Sequence, residues 1–346
     1  MDLTTKYLGL RLRHPLIAGA SPLTVNPDSL KRLEDAGTAA VVLPTLFEEH
    51  IRSEQLSIND SVDNPAQSFG EALTYFFDYD KPLSGSQDYL ESIHKTKANL
   101  GIPVIASLNC LTMRGWKEYS AEIESAGADA IELDFFYVAM EASESGAVIE
   151  RRGSDIVREV KKNIHIPVTV KLTPFHTSLA HFARELETAG ADGLVLLHRF
   201  YEPDIDIEEL EVVSIVEPSN PHELFLRLRW LAIISGQVNC SLAAMGGVHT
   251  AVDVLKAIMA GASTVQMVTA LMIHRPEYIR KLEEEISLWM EEHEYESLRQ
   301  MCGSLNISRC PDPAAISRGH YRALLKSWQT GQAAEMKQFT LWQAGN

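Results

Sequence analysis

A (β/α)8 (TIM) barrel, an α/β fold, is what three features of the 346-residue sequence predict. A helical segment that ends in Ala-Gly and leads into a β-branched run occurs four times. Four further short apolar runs alternate with these, and helical patterns fill the gaps. Eight strands, each followed by one helix, are the signature of this barrel, whereas a doubly wound sheet more often shows five or six strands and an early glycine fingerprint.

The elements follow in order. The first strand is Pro15–Ala20, and helix Ser29–Ala36 stops at Ala36-Gly37, where glycine can take the left-handed conformation that ends a helix. Val41-Val42-Leu43 reads as the second strand. The connection Phe47–Gln87 is long for a barrel and is expected to fold over the catalytic mouth as a lid or small subdomain, with Tyr75, Phe76, Phe77 and Tyr79 as its core. Helix Asp88–Asn99, strand Pro103–Leu108, helix Gly115–Ala126 and strand Ile131-Glu132-Leu133 come next. Helix Asp155–Asn163, strand Pro167–Leu172, helix Ser178–Ala189 and strand Leu194-Val195-Leu196 continue the alternation. Helix His222–Ser235, strand Ser241–Met245, helix Thr250–Ala260, strand Val265-Gln266-Met267 and helix Pro276–His293 close it. Three of the strands open on proline, which suits a strand's first position. Residues 1–300 are thus expected to form the barrel, interrupted by 47–87. Residues 301–346, with Pro311, Pro313 and a helical stretch near Tyr321–Gln332, are expected to be a helical extension that packs on the barrel or on a partner subunit.

Composition narrows the function. Hydrophobic residues at 45% and charged residues at 23% describe a folded globular chain. A net charge of −16 opposes binding to nucleic acid or an anionic membrane surface. The apolar runs fall far short of the roughly 20 residues of a membrane span, and no basic and apolar leader opens the chain, so the cytoplasm is the expected compartment. Cys110, Cys240, Cys302 and Cys310 are scattered without a CxxC, which argues for reduced thiols and against a disulfide framework, a zinc site or a cysteine-held cluster. No metal site is expected, and Glu283-Glu284-Glu285 reads as a solvated helix face.

In this architecture the C-terminal ends of the strands build the active site. Polar residues there are Ser21, Thr45, Asn109, Asp134, Lys171, Thr173, His198, Arg199, Gln266 and Thr269, together with the pair Gly246-Gly247. Lys171 stands out, because an ammonium in a strand buried on both faces needs an anion or polar ligand beside it. One reading places it near an electron-rich cofactor or substrate; the plainer one is a salt bridge to Glu132 or Asp134 on the neighbouring strand, and both can hold. Gly246-Gly247 and Thr269-Ala270 fall where barrels of this kind hold a phosphate group, with backbone N–H groups at the next helix start as donors. An ordinary tight turn would use the same glycines.

Taken together, Pro15-Leu16-Ile17-Ala18-Gly19-Ala20-Ser21, Ile131-Glu132-Leu133-Asp134, Val170-Lys171-Leu172-Thr173-Pro174, Gly246-Gly247-Val248 with Asp253 and Gly261-Ala262, and Val265-Gln266 with Thr269-Ala270 resemble the dihydroorotate dehydrogenase family over about residues 1–300. The resemblance implies an FMN-containing barrel that oxidises dihydroorotate to orotate in pyrimidine biosynthesis. It implies FMN across the mouth, its phosphate at Gly246, Gly247, Thr269 and Ala270, its ring lined by Ala20 and Ser21, and Lys171 near the pyrimidine end, where a cation stabilises reduced flavin. Asn109, His198 and Gln266 complete the expected cofactor-binding set.

The departures lie on the substrate side. The family carries Asn-x-x-Cys or Asn-x-x-Ser after the fourth strand, with a substrate-binding asparagine and a proton-abstracting base; here the stretch is Asp134-Phe135-Phe136-Tyr137. Asp134 takes the asparagine position and Tyr137 the base position, and a phenol titrating near 10 is a weak base at neutral pH. The Thr-Lys pair after the second strand is Pro44-Thr45 without lysine, the asparagine motif after the sixth is His198-Arg199-Phe200-Tyr201, and the glycine before Thr269 is Val268. The expected function is therefore an FMN-dependent oxidoreductase acting on CH–CH groups of a small molecule other than dihydroorotate, or only weakly on it. Lys171, Tyr137 and Asp134 are its catalytic candidates. Its electron acceptor is unidentified and a homodimer is the expected assembly. Two alternatives stand beside it: a barrel that has lost catalysis and serves as an FMN- or ligand-binding accessory subunit, and a Schiff-base aldolase using Lys171.

Overall fold

The structure, a computed structural model, describes residues 1–49, 51, 85–198, 202–215 and 217–317. Strands β1 (Thr5–Tyr7) and β2 (Leu10–Leu12) form an antiparallel hairpin, followed by β3 (Leu16–Ala18), α1 (Pro27–Ala36) and β4 (Val41–Phe47). Then come α2 (Gly85–Asn99), β5 (Val104–Asn109), α3 (Met113–Ser125), β6 (Ala130–Asp134), α4 (Gly146–Lys161), β7 (Val168–Leu172), α5 (Leu179–Ala189) and β8 (Gly193–Leu196). A second hairpin, β9 (Glu202–Asp206) and β10 (Glu211–Ile215), precedes α6 (Leu224–Ile234), β11 (Ser241–Met245), α7 (Ala251–Ala260) and β12 (Thr264–Met267). The described chain ends in α8 (Thr269–His274), α9 (Tyr278–Glu292), α10 (Leu298–Met301) and α11 (Pro313–Ser317).

Eight strands close into a parallel barrel in the order β11-β12-β3-β4-β5-β6-β7-β8. These are the eight runs expected from the sequence, and their near-continuous apolar character reflects burial between an interior layer and the surrounding helices. The Ala-Gly phrase works as its chemistry suggests: Gly37 and Gly190 end α1 and α5 at φ +106° and +112°, where a side chain would be strained.

Helix α4 differs from expectation by starting at Gly146 rather than Asp155. Gly146 and Gly153 interrupt the pattern there, yet Gly153 is helical, and a Cβ on it would lie 2.8 Å from Phe182 Cζ and 3.0 Å from Phe135 Cε2. Close packing, and not chain reversal, selects that glycine. The hairpin β1–β2, absent from the sequence-based order, closes the barrel floor. Its Tyr7, Leu8 and Leu12 join Ile17, Val42, Ile105, Val195 and Ala243 in the interior core. Leu8 and Gly9 both have positive φ, +52° and +79°, as a two-residue turn matching the strand twist requires. Leu8 accepts this because its N–H donates to Ser241 Oγ at 3.1 Å and its side chain fills the space a Cβ at Gly193 would need. Most of the long connection 47–87, the stretch Tyr321–Gln332 and Arg199 lie outside the described residues.

Candidate active site

The register sets Thr169 opposite Glu132 and Lys171 opposite Asp134 on adjacent strands. Alternate residues of a strand share a face, and Gln266, on a strand that is not adjacent to β6, reaches Glu132 across the barrel, so this face is the interior. Lys171 Nζ donates to Glu132 Oε1 at 3.0 Å and to Asp134 Oδ2 at 2.9 Å. Gln266 Nε2 donates to Glu132 Oε2 at 2.7 Å. Asn109 Nδ2 donates to the Asp134 carbonyl at 2.7 Å, and Thr45 Oγ1 sits 2.9 Å from Ser107 Oγ and 3.5 Å from Asp134 Oδ2. His198, one residue past the positive-φ Leu197, brings Nδ1 to 3.4 Å from Asp134 Oδ1.

Burial works against the charge of Lys171, but Asp134 and Glu132 outweigh it and hold the ammonium above its ordinary range. Such an amine stays protonated, which opposes the nucleophilic role a Schiff-base aldolase demands. Burial pulls His198 down to about 4, with Lys171 and Arg227 adding to the fall and Asp134 opposing it, so the imidazole is neutral near pH 7. Two carboxylates, one ammonium and a neutral imidazole leave the cluster with a net negative charge.

The expected residues thus divide. Lys171, Asp134, Asn109, His198 and Gln266 form one connected cluster, joined through Glu132. Gly246, Gly247, Thr269 and Ala270 stand at the ends of β11 and β12, and Ala20 and Ser21 follow β3, which pairs with β12. Tyr137 stands apart. It is 41% exposed, its phenol donates to Glu144 Oε2 at 2.5 Å, and the Arg152 guanidinium carbon lies 5.2 Å from its ring centroid. Sequence reasoning treated Glu132 only as a possible partner for Lys171. The signal was the same one that exposed Lys171: a charge in a strand buried on both faces.

Two more groups shape the mouth. Glu48, just past β4, is buried, and its carboxylate accepts from the N–H groups of Leu111 and Thr112 at 2.7 and 2.8 Å and from Thr112 Oγ1 at 2.7 Å. It thereby anchors the N-terminus of α3. Arg227, on the first turn of α6 and 5% exposed, donates to the carbonyls of Leu197, Glu223 and Met245. Its guanidinium fills the space a Cβ at Gly246 would take, and the backbone of Leu224 does the same at Gly247. Internal packing alone therefore accounts for both glycines.

The site is a closed parallel barrel whose rim carries a lysine braced by two acids, and comparison with known proteins supplies its family. The family profile for dihydroorotate dehydrogenase matches residues 82–290, and the chain belongs to that family. Among its relatives, the catalytic subunit of dihydroorotate dehydrogenase B (NAD(+)) from Thermoplasma volcanium is 27% identical over 311 residues, 87% of this chain and 98% of that one. The protein of the same name from Pyrococcus abyssi is 25% identical over 309 residues, 87% and 98% of the two chains. The chloroplastic dihydropyrimidine dehydrogenase (NADP(+)) of Arabidopsis thaliana is 23% identical over 328 residues, 87% and 76%.

The chain is accordingly an FMN-type oxidoreductase, FMN being the cofactor of this family. Its residues fit that group. Gln266 Oε1 is a buried acceptor with no hydrogen-bond partner among the described residues. Arg227 fixes a positive charge beside Gly246-Gly247, and Thr269 opens a helix on the neighbouring strand end.

Proposed function

We propose that the protein holds FMN across the C-terminal mouth of the barrel and oxidises or reduces a CH–CH bond of a small molecule other than dihydroorotate, or acts only weakly on dihydroorotate. One observation carries the reading: an ammonium, 2% exposed, locked between Glu132 and Asp134 at the rim. FMN, when bound, supplies the two-electron acceptor.

Lys171 would stand beside the pyrimidine end of the ring and place a fixed positive charge where reduction adds negative charge. Gly246, Gly247, Thr269 and Ala270 would hold the phosphate, with Arg227 beside them. Ala20 and Ser21 would line the ring, and Asn109, His198 and Gln266 would complete its contacts. Asp134 would face the substrate, while Tyr137 could act as base only after leaving Glu144. The related chains are called catalytic subunits, so a companion chain or a small oxidant would take the electrons. In this reading the protein works in the cytoplasm as a homodimer. Residues 1–300 would form the FMN-binding barrel, with the connection 47–87 and the stretch 301–346, both mostly outside the described residues, as its insertion and extension.

The purified chain should be yellow and release FMN on denaturation, and Lys171→Met should retain less of it. A colourless protein that takes up no added FMN would end the reading. The placement of Tyr137 favours a second one, an accessory barrel that binds FMN without turnover. Rapid reduction of the bound FMN by any member of a panel of candidate substrates in stopped flow would eliminate it.

A further inference from the structure

We propose that Asp134 sets the substrate class, admitting an uncharged ring that presents N–H donors and excluding rings that carry a carboxylate. The inference rests on the oxidoreductase reading of the same site. Asp134 is 2% exposed. Its Oδ2 is held by Lys171 and approached by Thr45, and its backbone carbonyl accepts from Asn109. Its Oδ1 has no hydrogen-bond partner among the described residues, and the nearest candidate, His198 Nδ1, is 3.4 Å away. A buried acceptor left in this state is costly, and a ligand N–H would repair it.

Charge points the same way. The Lys171 ammonium is already shared by two carboxylates, and Arg227 is turned to three carbonyls. A ligand carboxylate would meet Asp134 and Glu132, and the Lys171 ammonium that contacts them is already shared by both, in surroundings where charges are poorly screened. An amide N–H of an uncharged ring meets an acceptor instead.

Uracil and orotate differ by a single carboxylate and so make a matched pair of probes. Equilibrium dialysis of the full chain, supplied with excess FMN, against each radiolabelled compound reads binding without recourse to flavin absorbance, and flavin content is measured separately on the same sample. Uracil should bind at least about tenfold more tightly than orotate, and Asp134→Asn should shift that ratio toward orotate by at least about tenfold. Asp134→Ser serves as a second variant, and thermal melting establishes that each is folded. Orotate binding as tightly as uracil, a ratio unchanged in both variants, or no binding of either probe would overturn the proposal. A chain that takes up no flavin would end the oxidoreductase reading by itself, whereas a flavin-loaded chain that prefers orotate would end only this proposal.

Discussion

Lys171 and His198 are neighbours in the same cluster, yet one is charged and the other neutral near pH 7. Burial disfavours the charged form of both, but Lys171 has two carboxylates within 3.0 Å to offset it. His198 has Asp134 at 3.4 Å, while Lys171 and Arg227 oppose its protonation. Its value therefore falls from the ordinary 6.5 to about 4. Between these values the unfolded chain binds a proton that the folded chain does not, so stability falls as pH is lowered through that window. His198→Gln should flatten the decline between about pH 6.5 and 4 relative to the parent, measured by urea unfolding at a series of pH values. At this scale, charge in a buried strand was legible in the sequence, which singled out Lys171. The direction in which Tyr137 turns was not, because it depends on Glu144 and Arg152, contacts no periodicity encodes.

Elements were legible where they repeat. Each barrel strand is an apolar run of sufficient length, and at four of the junctions Ala-Gly marks the preceding helix end, so the alternation is readable. The hairpins β1–β2 and β9–β10 escaped because their strands are three and five residues long and stand outside the repeat. Hairpin β1–β2 nevertheless has a sharp packing requirement. Gly193 lacks a Cβ where Leu8 Cδ2 lies, with Ser241 O and Thr169 Oγ1 also close. Leu8→Ala should destabilise by about 2–5 kcal/mol through lost burial and a cavity, and Gly193→Ala by about 1–3 kcal/mol through overpacking. In Leu8→Ala/Gly193→Ala the cavity accepts the new methyl group, so the double variant should lose less than the two losses added. Chemical denaturation of the four proteins supplies the cycle, and strict additivity would refute the contact.

For the molecule as a whole, closing the barrel brings the ends of β11, β12 and β3 side by side, so a ligand spanning them ties together parts of the chain far apart in sequence. A ligand that binds only the folded state stabilises it by mass action, about 2.7 kcal/mol at 100 times its Kd. Flavin-stripped protein should therefore melt several degrees higher with FMN, followed by circular dichroism. Riboflavin, which lacks the phosphate, should give a smaller rise if Gly246, Gly247, Thr269 and Arg227 hold that group. Equal shifts would remove the phosphate from this place.

The barrel floor has a further consequence during synthesis. Thr5 donates to the carbonyl of Ser263, 258 residues downstream, and Leu8 to Ser241, 233 residues downstream. The hairpin residues thus wait for partners that are translated far later, and contacts of such sequence separation are slow to form. A nascent chain halted before β11 would hold the hairpin Thr5–Leu12 and six of its eight staves with no stopper seated, and its greasy inner wall would lie open.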